Sequence, residues 1–413
     1  MRTLVQSPGW FVCGILACLA IPVAAAVPEH GTEFQLFKNA REEIVDYSIH
    51  RPRRQDVTAG ALEGLAQQLG PRFSSFFLKQ LPVDVDISAV YIATLRDIAD
   101  SEIAKKDGHT LKALVERSID GYCRSLDAYS EYADEANARR FKEAQTPDYV
   151  GIGITIRRKD DFFYCVPFPG EPADRAGVVR GDELLELDGA TVRTMTLLEI
   201  SARLSGLPRT AVQLKVKHSD GVAEAFRIER AAISSTPVTL IEAGGWVRIG
   251  LRRINPRAYE DLRDLLQRIG PGKPLVLDLR GCEGGDFAAA VRIAELFLPD
   301  KKLIARLESN HGPITELSRN GTPYKPGKLR LLQDGNTASG AELILAALTS
   351  YPELLPAESR GEKTYGKGVT TRPISVARGG VLTITDTRIY GPHGEFWDKV
   401  GIAPTSDAAV DAP

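Results

Sequence analysis

The stretch KLRLLQDGNTASGAE, residues 328–342, constrains this chain more than any other. Residues 329–332 form a short apolar run of the length a buried strand uses. Asp334, Gly335, Asn336 and Thr337 then supply turn chemistry. From Ser339 onward AELILAAL is strong helix-forming sequence, with Ala341, Ile344, Leu345 and Leu348 recurring on one helix face. Ser339 is therefore predicted where a sharp turn meets a helix N-terminus. A serine there has two readings. It is an ordinary N-cap, or it is a nucleophile whose oxyanion the free N–H groups and the helix dipole stabilise.

A length of 413 residues predicts two or three domains. The formal net charge is −2 and no basic, aromatic-rich tract is present, which argues against nucleic acid as a partner. Residues 1–26 read as a secretory signal: Arg2, an apolar run over 10–23, then Ala24, Ala25 and Ala26 before Val27. The expected location is the periplasm; a lipoprotein-like box ending at Cys18 is the alternative. Three cysteines follow the signal (Cys123, Cys165 and Cys282), with spacing that fits neither zinc nor a disulfide framework.

Helix-spaced apolar residues mark 37–47, 59–69, 87–103 and 111–126, separated by Pro, Gly and charged breaks, so residues 27–147 are expected to be a helical region. Within it, 60–70 and 114–127 look faintly alike. Residues 144–147 read as a linker. From 149 the pattern changes to short alternating runs with AGVVRGDELLELDG at 176–189, a helix at 197–204 and strands at 212–217 and 224–229. This resembles a PDZ domain over 148–231. The resemblance implies that Val150, Gly151, Ile152, Gly153 and Ile154 offer backbone to a peptide's C-terminus, the peptide adding as a strand.

From residue 246 the chain reads as α/β. A helix over 256–269 precedes PLVLDLR, a buried strand at 274–280, then Gly281-Cys282-Glu283-Gly284-Gly285 and a helix over 287–297. Strand, glycine loop and helix bring backbone N–H groups close to a ligand; no phosphate-loop pattern is present.

Five segments in order resemble the carboxy-terminal processing, or tail-specific, serine peptidases: SLDAYSEYADEANARRF at 125–141, LDLRGCEGG at 277–285, NTASGAE at 336–342, TYGKG at 364–368, and TRIYGPHG at 387–394 with KVGIAP at 399–404. The resemblance implies an α+β multidomain protein: a helical N-terminal region, a PDZ domain, and an α/β protease core over 232–408. It implies a serine–lysine dyad with Ser339 as nucleophile and Lys367 as base, and an oxyanion hole from Gly340 N–H with Gly284 or Gly285. Lysine serves as a base only when neutral, so its pKa must fall through burial. Lys363, outside the matched motif, is not the base. Substrates would be proteins with exposed C-terminal tails, and the helices at 27–147 would pack on the core, form an oligomer or dock an adaptor. No metal or organic cofactor is implied.

The chain departs from the family pattern in three ways. The segment between Ser339 and Lys367 is longer, Thr371 stands where a glutamine partner of the lysine is usual, and the glycine loop carries Gly281-Cys282-Glu283. A carboxylate at Glu283 would favour the charged lysine and oppose a base role. These departures motivate an alternative, a PDZ-containing peptide-binding protein of the same fold without turnover.

Overall fold

A computed structural model describes residues 31–73, 76, 87–144, 150–159, 162–168, 170–233, 238–243, 245–319 and 323–408. The expected signal at 1–26 and most of the linker at 144–147 lie outside these residues.

The helical region holds Thr32–Tyr47, Arg54–Leu69, Ile87–Asp100, Glu102–Asp107 and Leu111–Leu126. The helix expected over 87–103 is two helices, because Ser101 leaves the helix and its hydroxyl caps the next one by accepting from Ala104 N–H. The two look-alike segments face each other. A Cβ placed on Gly64 would lie 2.5 Å from the carbonyl carbon of Gly121, and one on Gly121 2.7 Å from that of Gly64. Two glycines thus let the helices Arg54–Leu69 and Leu111–Leu126 touch backbone to backbone.

The PDZ region is a sheet in the order Ile154–Lys159, Phe162–Pro167, Glu183–Leu187, Ala211–Lys217, Ala223–Glu229. Leu197–Leu204 is a helix as expected, begun by a reciprocal cap between Thr196 and Glu199. Ile154–Lys159 is the edge strand, bonded within this sheet only to its hairpin partner.

The α/β region contains the sheet that positions the site. Its order is Val238–Ala243, Trp246–Leu251, Pro274–Asp278, Lys328–Gln333, Ala357–Gly361, parallel at every step after the first. Helices Pro256–Ile269 and Phe287–Glu295 connect them, capped by the side chains of Asn255 and Asp286. The helix Gly340–Thr349 differs from the single apolar face expected of it: every residue from Gly340 to Leu348 is buried. It touches the helix Phe287–Glu295 and strands Leu303–Ser309 and Ala357–Gly361, so it is a core helix, buried on all sides with Glu342 its one charged residue.

A second sheet runs Glu131–Ala133, Val381–Tyr390, Leu303–Ser309, Gly312–Leu317, with Val369–Ser375 also paired to Val381–Tyr390. Its residues Tyr132, Leu382 and Ile384, with Val376 just past the end of Val369–Ser375, belong to the hydrophobic cluster of the N-terminal helices. The helical region therefore packs on the C-terminal strands rather than standing alone. Cys123, Cys165 and Cys282 are buried free thiols, one in each of the three main hydrophobic clusters.

Gly121→Ala is expected to destabilise the protein by about 1–3 kcal/mol through overpacking, outweighing the ~1 kcal/mol that alanine gains over glycine in a helix. Thermal unfolding beside wild type checks this; an unchanged or raised Tm would mean that the two helices can part at no cost.

Candidate active site

Three neighbouring parallel strands deliver three loops to one edge of the sheet. Pro274–Asp278 leads into the glycine loop, Lys328–Gln333 into the turn before Ser339, and Ala357–Gly361 into the loop with Lys367. All three loops leave the carboxyl ends of their strands, the side where open α/β sheets build their sites.

Ser339 has φ 56° and ψ −120°. A capping serine ordinarily takes extended backbone, whereas positive φ at a residue with a Cβ costs about 1–3 kcal/mol and marks a functional turn. Of the two readings open in the sequence, this backbone fits the nucleophile on a sharp strand-to-helix turn. The turn is held by Asp334, whose Oδ1 accepts from the N–H groups of Asn336, Thr337 and Gly281 at 3.0 Å each. Thr337 Oγ1 donates to Leu279 O at 2.9 Å, and Ala338 N–H to Cys282 O at 3.0 Å. The serine turn and the glycine loop are thus stitched together. Gly284, at φ 86°, must be glycine: a Cβ there would sit 2.7 Å from both Ala338 O and Gly340 N and 2.9 Å from Ser339 Cβ. Gly285, at φ 145°, lies as tightly against Ile254 O.

The lysine loop is tied to the serine turn from the other side. Tyr365 N–H donates to Thr337 O at 3.0 Å. Glu342, fully buried on the first turn of the helix after Ser339, accepts from four donors: Ser339 N–H (2.8 Å), Thr364 Oγ1 (2.6 Å), Gly366 N–H (2.7 Å) and Lys367 N–H (2.8 Å). Burial raises its pKa and the four hydrogen bonds oppose that rise. On the far side Gly366 and Gly368 lie against the loop 397–401, where any Cβ would meet backbone within about 3 Å.

Lys367 is partly buried, and that burial lowers its pKa; Glu283, Asp127 and Asp398 push it up, and Arg157 pushes it down. Its Nζ lies 4.8 Å from the centre of the Tyr129 ring. Lys363 is exposed. Asp127 accepts from Tyr129 N–H, Ser130 N–H, Ser130 Oγ and Thr385 Oγ1, and pairs with His50 Nε2 at 3.0 Å. Burial works against its charge, but these hydrogen bonds outweigh it and hold its pKa down.

Thr371 lies on Val369–Ser375 opposite Thr385, just past a bulge, and no hydrogen bond joins it to Lys367 among the described residues. Glu283, which the sequence sets against a neutral lysine, is paired to Arg157 of the PDZ region at 3.1 Å. At the opening of that region Val150–Gly151 pairs with Ala231–Ala232, and the carbonyls of Ile152 and Gly153 accept from Ala173 and Phe168 N–H. Ile152 and Ile154 point into its core.

Residues 247–408 match Peptidase family S41 and residues 165–218 match a PDZ domain. The chain carries an S41 peptidase core and a PDZ domain. A probable CtpA-like serine protease of Staphylococcus aureus (strain MRSA252) is 28% identical over 330 residues, 78% of this chain and 64% of the relative. Carboxy-terminal processing protease CtpA of Bacillus subtilis (strain 168) is 30% identical over 310 residues, 72% of this chain and again 64% of the relative. The chain thus spans under two thirds of the length of these relatives. The structure of a photosystem II D1 C-terminal processing protease superposes with a TM-score of 0.67 at 20% identity, covering 92% of this chain and 93% of that one, and so shares the fold.

Around the S41 core, sequence reasoning assigned no role to Asp127, Tyr129, Glu342, Arg157 or Asp398. The first three lie inside the family-like segments LDAYS and NTASGAE, which is the signal the sequence offers for them. Glu342→Gln keeps the shape but turns one acceptor oxygen into a donor facing donors. Activity is expected to fall roughly 10- to 100-fold, as one or two buried donors lose their partners at about 1–3 kcal/mol each. Full activity in a peptidase assay of that variant would remove Glu342 from the support of the site.

Proposed function

We propose that the protein is an exported serine endopeptidase that captures C-terminal tails of protein substrates in its PDZ domain and cuts them with a Ser339–Lys367 dyad. The observation that carries the reading is the strained backbone of Ser339, seated between the glycine loop and the lysine loop and tied to both.

The chemistry follows from the residue types. Neutral Lys367 accepts the Ser339 hydroxyl proton as Oγ attacks the scissile carbonyl. The oxygen that gains the electron pair is met by Gly340 N–H, with Gly284 or Gly285 as second donor. Collapse expels the amine, which takes the proton back from Lys367, leaving an acyl-serine. Water, deprotonated by the same lysine, hydrolyses that ester and restores Ser339. The peptide-binding strand is read as Ile154–Lys159 with Val150, Gly151, Ile152 and Gly153 before it; its free edge beside the helix Leu197–Leu204 supports this.

We read the units as a signal over 1–26, a helical region over 27–147, the PDZ domain over 148–231 and the protease core over 232–408. Periplasmic export rests on the signal, with anchoring through Cys18 the alternative; no helix among the described residues is long and apolar enough to cross a membrane. The helical region is taken to support the core rather than to form an oligomer or dock an adaptor. Among its described residues Ile103 is the one large apolar side chain with substantial exposure.

A second reading, a tail-binding protein without turnover, is favoured by one observation: Thr371 does not bond to Lys367. Cleavage of an unfolded protein with an apolar C-terminus decides between them. The mature chain is expected to cut it, and Ser339→Ala and Lys367→Ala to lose at least about 10³-fold in kcat/KM while staying folded. An active Ser339→Ala protein would sink the dyad, and binding without cleavage by wild type would leave the second reading. Since the base acts only when neutral, activity is expected to rise with pH through a lysine pKa below its usual value.

A further inference from the structure

The backbone of Lys367 is held more firmly than its amine. Its N–H donates to Glu342 Oε2 at 2.8 Å, and its carbonyl accepts from Trp397 Nε1 at 3.3 Å. On either side, Gly366 N–H donates to Glu342 Oε1 at 2.7 Å and Gly368 N–H to Asp398 Oδ1 at 3.0 Å. The amine has no such ties. Among the described residues Nζ makes no hydrogen bond and no ion pair, and what it meets is the Tyr129 ring, whose centre lies 4.8 Å away.

Tyr129 is itself held by its backbone. Asp127 ends the helix Leu111–Leu126, and its Oδ1 accepts from the N–H groups of Tyr129 and Ser130, each at 2.7 Å. Its Oδ2 accepts from Ser130 Oγ at 2.9 Å and lies 3.0 Å from His50 Nε2. Thr385 closes the turn: its Oγ1 donates to Asp127 Oδ1 at 3.0 Å and its N–H to Ser130 Oγ at 3.1 Å. Thr385 lies on Val381–Tyr390, the neighbour of Val369–Ser375, the strand that follows Lys367. The tyrosine turn and the lysine are thus built on one pair of strands. The Tyr129 hydroxyl makes no hydrogen bond among the described residues, although the residue is partly buried. A buried phenol usually finds a partner, so the ring face is what this position supplies.

We propose that Tyr129 is a positioning residue of the peptidase site: the Lys367 amine rests on its ring, and the ring stabilises the ammonium that forms as the Ser339 hydroxyl proton moves to Nζ. An aromatic quadrupole attracts a cation far more than a neutral amine. The contact is therefore stronger after proton transfer than before it, and an interaction of that kind lowers the barrier rather than tightening substrate binding. The proton stays on Nζ until the leaving amine takes it. Glu283, Asp127 and Asp398 also favour the charged lysine and Arg157 opposes it, while Tyr365 and Glu342 stand near the ring. Tyr129 adds attraction without adding a charge.

The inference rests on Lys367 being the base, and two variants of the mature chain test it. Tyr129→Phe keeps the ring; Tyr129→Leu keeps apolar bulk without it. In cleavage of an unfolded protein, Tyr129→Leu is expected to lose about 3- to 30-fold in kcat with KM unchanged, and Tyr129→Phe less than about 2-fold. The Ser339→Ala protein is then labelled at lysine ε-carbons and titrated by NMR, with Lys367 assigned by the loss of its signal in Lys367→Ala. There Tyr129→Leu is expected to lower the Lys367 pKa by roughly half a unit to one unit, because the ammonium loses its partner, and Tyr129→Phe to leave it in place. An unmoved or raised pKa in Tyr129→Leu overturns the proposal, as do equal effects of the two variants, which would assign the role to the hydroxyl. If Tyr129→Leu does not fold, phenylalanine with one, two or three ring fluorines at residue 129 decides. A Lys367 pKa that falls with each fluorine supports the ring contact, and a flat series overturns it. An active Lys367→Ala protein would remove the base reading and this role with it, whereas an inactive one beside an unmoved titration would remove this role alone.

Discussion

One buried carboxylate holds the S41 site together. Glu342 belongs to the serine helix, yet three of its four donors come from the lysine loop. A group taken out of water at this cost is retained only if its partners are all in place, because each donor left alone would forfeit its desolvation energy. The lysine loop therefore cannot drift from Ser339 without exposing or orphaning this cluster. The fourth bond, to Ser339 N–H, fixes that serine in a backbone conformation that the residue would not choose by itself.

The legible parts of the fold are those whose signals are local. Pro256–Ile269 and Leu197–Leu204 fall where the sequence reading puts them, and in the structure Asn255 and Thr196 cap them from within three residues. The strand–turn–helix around Ser339 was readable for the same reason, although burial of Gly340 to Leu348 on every side shows only in the packed structure. The sheet built on Val381–Tyr390 was not readable. It pairs with Glu131–Ala133 across most of the chain, and no short-range pattern encodes such a register. Glu283 illustrates the same limit in the site: alone in the sequence it argues against a basic lysine, and its answer, Arg157, lies 126 residues away.

The sheet order explains why three of the motifs form one place. The glycine loop, the serine turn and the lysine loop follow consecutive neighbours in a parallel sheet, so segments nearly ninety residues apart emerge side by side. The residues between Ser339 and Lys367 fill the helix Gly340–Thr349 and the strand Ala357–Gly361. Both elements lie away from the two loop ends, which keeps the two side chains on one edge of the sheet.

The three thiols lie in separate hydrophobic clusters, and burial raises the pKa of each, that of Cys282 to about 12. None reacts at neutral pH while its cluster stays closed, because the thiolate is the reactive form. The alkylation rate of Cys123 then reports opening of the helical region with its C-terminal strands, that of Cys165 opening of the PDZ domain, and that of Cys282 opening of the sheet beneath the glycine loop. The native chain carries three site-resolved clocks for local unfolding, with no label introduced, and their rates would rank the cooperativity of its parts.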